Sequence, residues 1–208
     1  MSRGLVHQIG QVAADLPRFA TAPLYRSRHL RWGASEAEVV APMPGDGLVP
    51  GTRFNATRAV TVDAPREAVW PWLVQAGCGR AGWYSDDLLD NLARPSLREI
   101  RPELQVLEVG QWVPMSPTPS ESTAWKVRDF VENEWLLWLK PDSSWAWVLT
   151  DLGDGQTRLV TRVHALYDWS KPLGAIFGVV LLELGDFAMT RRMLLGIKER
   201  AEKSRAGG

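Results

Sequence analysis

The chain has 208 residues with 24 basic and 24 acidic side chains, so it carries no formal net charge. That length suits one domain with an appended arm rather than two ordinary domains, and the even balance excludes the broad positive field of a non-specific nucleic-acid binder. Cys78 is the only cysteine, so no internal disulfide is expected and a reducing, cytoplasmic setting is the simplest expectation.

At the N-terminal end, Leu5, Ile9, Val12, Ala13 and Leu16 recur at helical spacing, which predicts a short amphipathic helix over residues 4–17. Gln8, Gln11 and Asp15 interrupt the continuous apolar run that a secretory signal needs. Between Arg3 and Arg31 five arginines stand against one acid, Asp15, so this arm is locally basic. It can dock on the domain that follows, or act as a peripheral membrane or partner-binding helix. Residues 41–51, with three prolines and three glycines, predict an irregular connector. The chain then divides into an arm over 1–50, a ligand-binding domain over 51–203 and a polar tail over 204–208.

Alternation from Thr57 to Val62 predicts a strand, and Asp63 beside Pro65 opens a helix whose apolar stripe is Val69, Trp70, Leu73 and Val74. Gly77 is its expected stop, and a second short helix is predicted from Ser85 to Leu92. Strand character follows over Trp112 to Met115, Ala124 to Val131, Trp135 to Lys140, Trp145 to Leu152 and Thr157 to Tyr167. The turns between the later strands are too short for crossovers, so these strands form an antiparallel meander. Ser170 and Pro172 open a long helical pattern through Leu173, Phe177, Leu184 and Ile197, with Gly185 as a point where it can kink. Its apolar run from Leu173 to Leu182 covers about half the roughly 20 residues of a bilayer span, so no stable membrane insertion is expected.

This order of elements is that of the helix-grip fold. The segment "ATRAVTVDAPREAVWPWLVQAGCGRAGWYSDDLLDN" (Ala56 to Asn91), with "RWGAS" from Arg31, "MPGDGLVP" from Met43 and "MTRRMLLGIKERAE" from Met189, resembles a polyketide-cyclase-like branch of the START/Bet v 1-like (SRPBCC) superfamily. The resemblance spans roughly residues 31–203 and implies an α+β fold: a curved antiparallel sheet wrapped around a long C-terminal helix, with two short helices after the first strand. It implies a cavity for a small, largely apolar ligand, lipid-like or polyketide-like, and no cofactor. Some superfamily members catalyse cyclisation or other reactions in that cavity, so an enzymatic role stays open beside simple binding. Cys78 stands where that branch more often carries a polar residue such as glutamine.

Several residues can carry chemistry. Gly77 to Gly82 matches G-x-G-x-x-G, but a helix precedes it where a dinucleotide site needs a strand, so it reads as a glycine-rich turn. Arg80 within it can grip a carboxylate or phosphate at a cavity mouth, or pair with Asp86 or Asp87 to fix the loop. Trp83, Tyr84 and Asp86 can line the cavity or pack and cap locally, and Asp86 with Tyr84 or His164 can act as base and polariser. Eleven tryptophans mark either a thick core or an aromatic wall. Period two places Trp125, Val127, Asp129 and Val131 on one face, and Trp145 with Trp147 on one face of another strand. Trp135 and Trp138 have opposite parity, so at least one belongs on the outer face. Arg162 and His164 share a face with Val160 and are candidates for polar groups in the lining, or for an exposed polar face. Met189 and Met193, one turn apart on the last helix, suit an adaptable wall as well as a core. His7, His29 and His164 are far apart and no metal-ligand spacing occurs, so no metal is expected.

Overall fold

In the computed structural model, residues 25–166 and 185–206 are described. The helix expected over 4–17, the run from Leu173 to Leu182, Tyr167 and Trp169 lie outside them. Two five-residue helices, α1 (Arg26–Leu30) and α2 (Glu36–Val40), open the described part of the chain. Ser35 opens α2 with a full capping box, its side chain accepting from the Glu38 amide while Glu38 reaches back to the Ser35 amide.

The alternating segment forms β1 (Phe54–Val62), which begins three residues before its predicted start. Then come α3 (Arg66–Val74) and α4 (Asp87–Asp90). The fourth helix is shorter than its prediction at both ends, with Asp86 extended before it and Leu92 and Ala93 at positive φ, 53° and 61°, beyond it. Strands β2 (Trp112–Pro114), β3 (Ala124–Val131), β4 (Trp135–Lys140), β5 (Ser143–Gly153) and β6 (Gln156–Ala165) follow, and α5 (Asp186–Ala206) closes the described chain. Among the described residues every pairing is antiparallel, in one six-stranded sheet ordered β1-β6-β5-β4-β3-β2. A meander closed by its first strand, with the C-terminal helix packed on one face, is the α+β helix-grip architecture. Among the described residues no helix is long and apolar enough to cross a membrane.

The registers give each side chain a face. Val62 packs in one core with Leu194 and Ile197 of α5, and Arg58 meets Asp186, so the even-numbered residues of β1 face the helix. Through the paired registers, Leu159, Trp145, Trp147, Leu149, Leu136, Trp138 and Val127 share that inner face. A bulge between Val127 and Asp129 corrects the expected face of β3: beyond it Phe130 turns inward, opposite Leu136, while Asp129 and Val131 turn outward. Trp138 lies inward and fully buried, whereas Trp135 has the outward parity.

The outer face and the free edge of β1 are covered by the arm. Ala59 donates its amide to the Trp32 carbonyl, which occupies the edge. Arg158 holds Glu38 through two nitrogens at 2.7 and 2.9 Å. Arg162 spends all five of its N–H groups: on Thr57, on the carbonyls of Glu38, Val39 and Ala41, and on the Asp46 carboxylate. His164 bonds Asn55 and, at 3.0 Å, Asp46. The placement of Arg162 and His164 in the lining between sheet and helix is therefore corrected, because even-numbered β6 residues point away from α5.

Candidate functional site

The inner face is a wall of indoles. The 5-4 hairpin pairing sets Trp145 opposite Trp138, and the loop after the glycine turn brings Trp83 against both. Trp83 stacks on Trp145 at 5.8 Å with an interplanar angle of 8°, and Trp138 meets Trp145 edge-on at 5.4 Å. Trp125 and Trp147 complete the group at 5.6 and 5.0 Å from Trp145. Four of the expected lining residues, Trp83, Trp125, Trp145 and Trp147, thus come together, and Trp138 joins them. Met193 lies in the same buried core, and Met189 sits one turn earlier, partly buried.

Polar atoms within this wall are unevenly satisfied. Trp145 donates its indole N–H to the Thr161 hydroxyl at 2.7 Å. The indole nitrogens of Trp125, Trp138 and Trp147 are buried without a hydrogen-bond partner, as is that of Trp72 on α3. Leaving such a donor unpaired costs about 1–3 kcal/mol. Burying a ring of about 150–250 Å² returns roughly 4–6 kcal/mol at about 25 cal/mol per Å², so the wall forms despite its empty donors. Lys140, which sequence reasoning passed over, sits on the edge of the group with its ammonium 5.0 Å from the Trp125 ring centroid and 3.4 Å from Asp142.

The glycine-rich loop is structural. Gly77 and Gly82 exchange backbone hydrogen bonds of 3.1 and 3.0 Å, and Gly77, Gly79 and Gly82 all take positive φ. It is fed by α3, where a dinucleotide site needs a strand. Arg80 in that turn donates to the carbonyls of Val74 and Leu104, both at 3.1 Å, tying the end of α3 to the segment before β2. It forms neither the expected ion pair with Asp86 or Asp87 nor a grip at an open mouth. Burial lowers its pKa, and the nearby Tyr84 opposes that shift.

Tyr84 holds a positive φ of 58° and donates its hydroxyl to the Trp72 carbonyl at 2.9 Å, with Arg200 over its ring at 4.8 Å. Burial pushes its phenol well above the ordinary value. Asp86 is buried 3.5 Å from the Arg192 guanidinium on α5. With His164 on the opposite face of the sheet, Asp86, Tyr84 and His164 do not converge as base and polariser. Among the described residues no cluster of His, Cys, Asp or Glu is arranged to hold a metal ion.

A second polar centre, unforeseen in the sequence, joins arm, sheet and helix. Arg58, 1% exposed, bonds Asp186 at 2.6 Å and donates to the His29 carbonyl at 2.8 Å. The His29 ring stacks on Phe187 at 3.9 Å, and burial, then the Arg58 charge, lowers its pKa. An arginine in an alternating apolar strand is the signal that could have revealed it.

No family model matches this chain, and no curated protein matches it. Solved structures similar to it include a polyketide-cyclase-like protein from Corynebacterium glutamicum, with 15% identity, a TM-score of 0.41, and coverage of 74% of this chain and 94% of that one. An aromatase/cyclase from a Streptomyces species is 22% identical, with a TM-score of 0.40 over 74% of this chain and 98% of its own. A self-sacrificing resistance protein from Micromonospora echinospora is 14% identical, with a TM-score of 0.38 over 70% and 94%. These are likenesses of fold.

Proposed function

We propose that the chain binds a small, largely apolar ligand, lipid-like or polyketide-like, against the tryptophan wall between the sheet and the C-terminal helix. The observation that carries this reading is the set of buried, partnerless indole N–H donors on Trp125, Trp138 and Trp147. Buried indole N–H groups usually find an acceptor, and a carbonyl or hydroxyl oxygen on an otherwise apolar ligand supplies one. The rings gathered around Trp145 make this face strongly apolar, which suits a largely apolar ligand. Cyclase, dehydratase or isomerase-like chemistry through Arg80, Tyr84, Asp86 and His164 has less support, because the first two are held by backbone carbonyls and the last lies on the outer face.

Intrinsic tryptophan fluorescence, titrated with a hydroxylated anthraquinone and with a long-chain fatty acid, tests the proposal alongside native mass spectrometry of freshly purified protein. Saturable quenching by either compound, weakened at least about tenfold by Trp145→Ala through loss of stacking, is the expected result. Absence of saturable binding and of any co-purifying ligand overturns it.

A further inference from the structure

The outer face holds a recess that neither the core nor the tryptophan wall uses. It has a volume of about 630 Å³ and lies between α1 and α2, above β1 and β6. Arg26, Ser27 and Arg31 rim it, Leu30 and Val39 give it apolar walls, and Asn55 lies at its strand side. Its charges are asymmetric. Asp46, the acid beside it, is already paired with the Arg162 guanidinium at 2.8 Å and lies 3.0 Å from the His164 ring nitrogen. Arg162 has no N–H to spare, since all five are spent on the arm and Thr57. Arg31, by contrast, is exposed and its guanidinium makes no hydrogen bond or ion pair with another described residue, and the Ser27 hydroxyl is likewise unengaged. A free guanidinium and a hydroxyl on the rim of a recess with Leu30 and Val39 as walls make an amphipathic receptor whose polar end is cationic.

We propose that this recess binds a small organic anion, a phosphate or carboxylate carried on a compact apolar body, with the anion on Arg31 and Ser27 and the body against Leu30 and Val39. The volume lies within the 300–1,000 Å³ typical of small-molecule sites, and a bare inorganic anion leaves most of it empty. The guanidinium favours planar oxyanions through paired hydrogen bonds. Binding here is independent of the tryptophan wall, which lies on the other face of the sheet.

Isothermal titration of the full chain with phenyl phosphate, inorganic phosphate and phosphatidylglycerol vesicles decides it. The expected result is one saturable phenyl phosphate site per chain, at least about tenfold weaker for inorganic phosphate and for Arg31→Glu, and weakened by added salt. Arg28→Glu, on α1 but off the recess, leaves it unchanged, as does Trp145→Ala, so this proposal and the inner-face reading fail separately. Arg31→Gln, with thermal melting of each variant, guards against a folding defect. No saturable phenyl phosphate binding overturns the proposal, as do equal losses in Arg28→Glu and Arg31→Glu, which mark a diffuse charge effect. Vesicle binding without phenyl phosphate binding also overturns it and makes the basic arm a membrane-surface element.

Discussion

At Gly196 the C-terminal helix has no room for a methyl group, since a Cβ there would stand 2.2 Å from the Tyr84 carbonyl oxygen and 2.9 Å from the Tyr84 Cβ. The glycine lets the loop carrying Trp83 and Tyr84 press onto α5. Gly196→Ala therefore costs about 1–3 kcal/mol in urea unfolding, although alanine is the better helix former; an unchanged or raised midpoint contradicts this contact. Arg58 is a second such point. Removing it strands Asp186 in a largely buried site, and Arg58→Ala is expected to lose about 3 kcal/mol or more. A loss below about 1 kcal/mol in the same assay shows that the pair is solvated. The close approach at Gly196 and the pairing of Arg58 with Asp186 were illegible in the sequence because those partners stand more than 100 positions away, although an arginine in an apolar strand was itself a visible signal. Trp145 and Trp147 were legible, since period two alone fixes their common face.

Among the elements, those defined by local pattern matched expectation. Strands β3 and β4 run where alternation and turn residues put them. What pattern could not show was the bulge after Val127, which depends on the partner strand and reverses the face of Asp129 and Val131. Nor could it show the attachment of α2, which converts Arg162 and His164 from candidate lining into clamps for the arm. The clamp makes a pH prediction. Glu38 is held down to about 2 from 4.5, chiefly by its hydrogen bonds from Arg158. Because its folded pKa is depressed, its contribution is full above 4.5 and is lost as the pH falls towards 2. Thermal melts of the parent chain and Glu38→Gln should differ most near neutral pH and converge over that interval. A difference that stays constant down to pH 2 contradicts the clamp.

For the molecule as a whole, the sheet, the arm and α5 form two faces with different chemistry. The inner face is aromatic and largely buried; the outer face is a network of arginines, carboxylates and helix-end carbonyls. The central claim is the proposal made for the inner face, that a bound ligand supplies the acceptor its buried indole donors lack. The most direct measurement is the side-chain indole ¹⁵N–¹H spectrum of labelled protein, assigned with single Trp→Phe variants and titrated with a hydroxylated anthraquinone. Saturable shifts of the Trp125, Trp138 and Trp147 resonances are the predicted result, with that of Trp112, which pairs with Lys126 on the outer face, unmoved. Resonances of the three that stay fixed at saturating ligand, or shifts confined to Trp112, contradict the account.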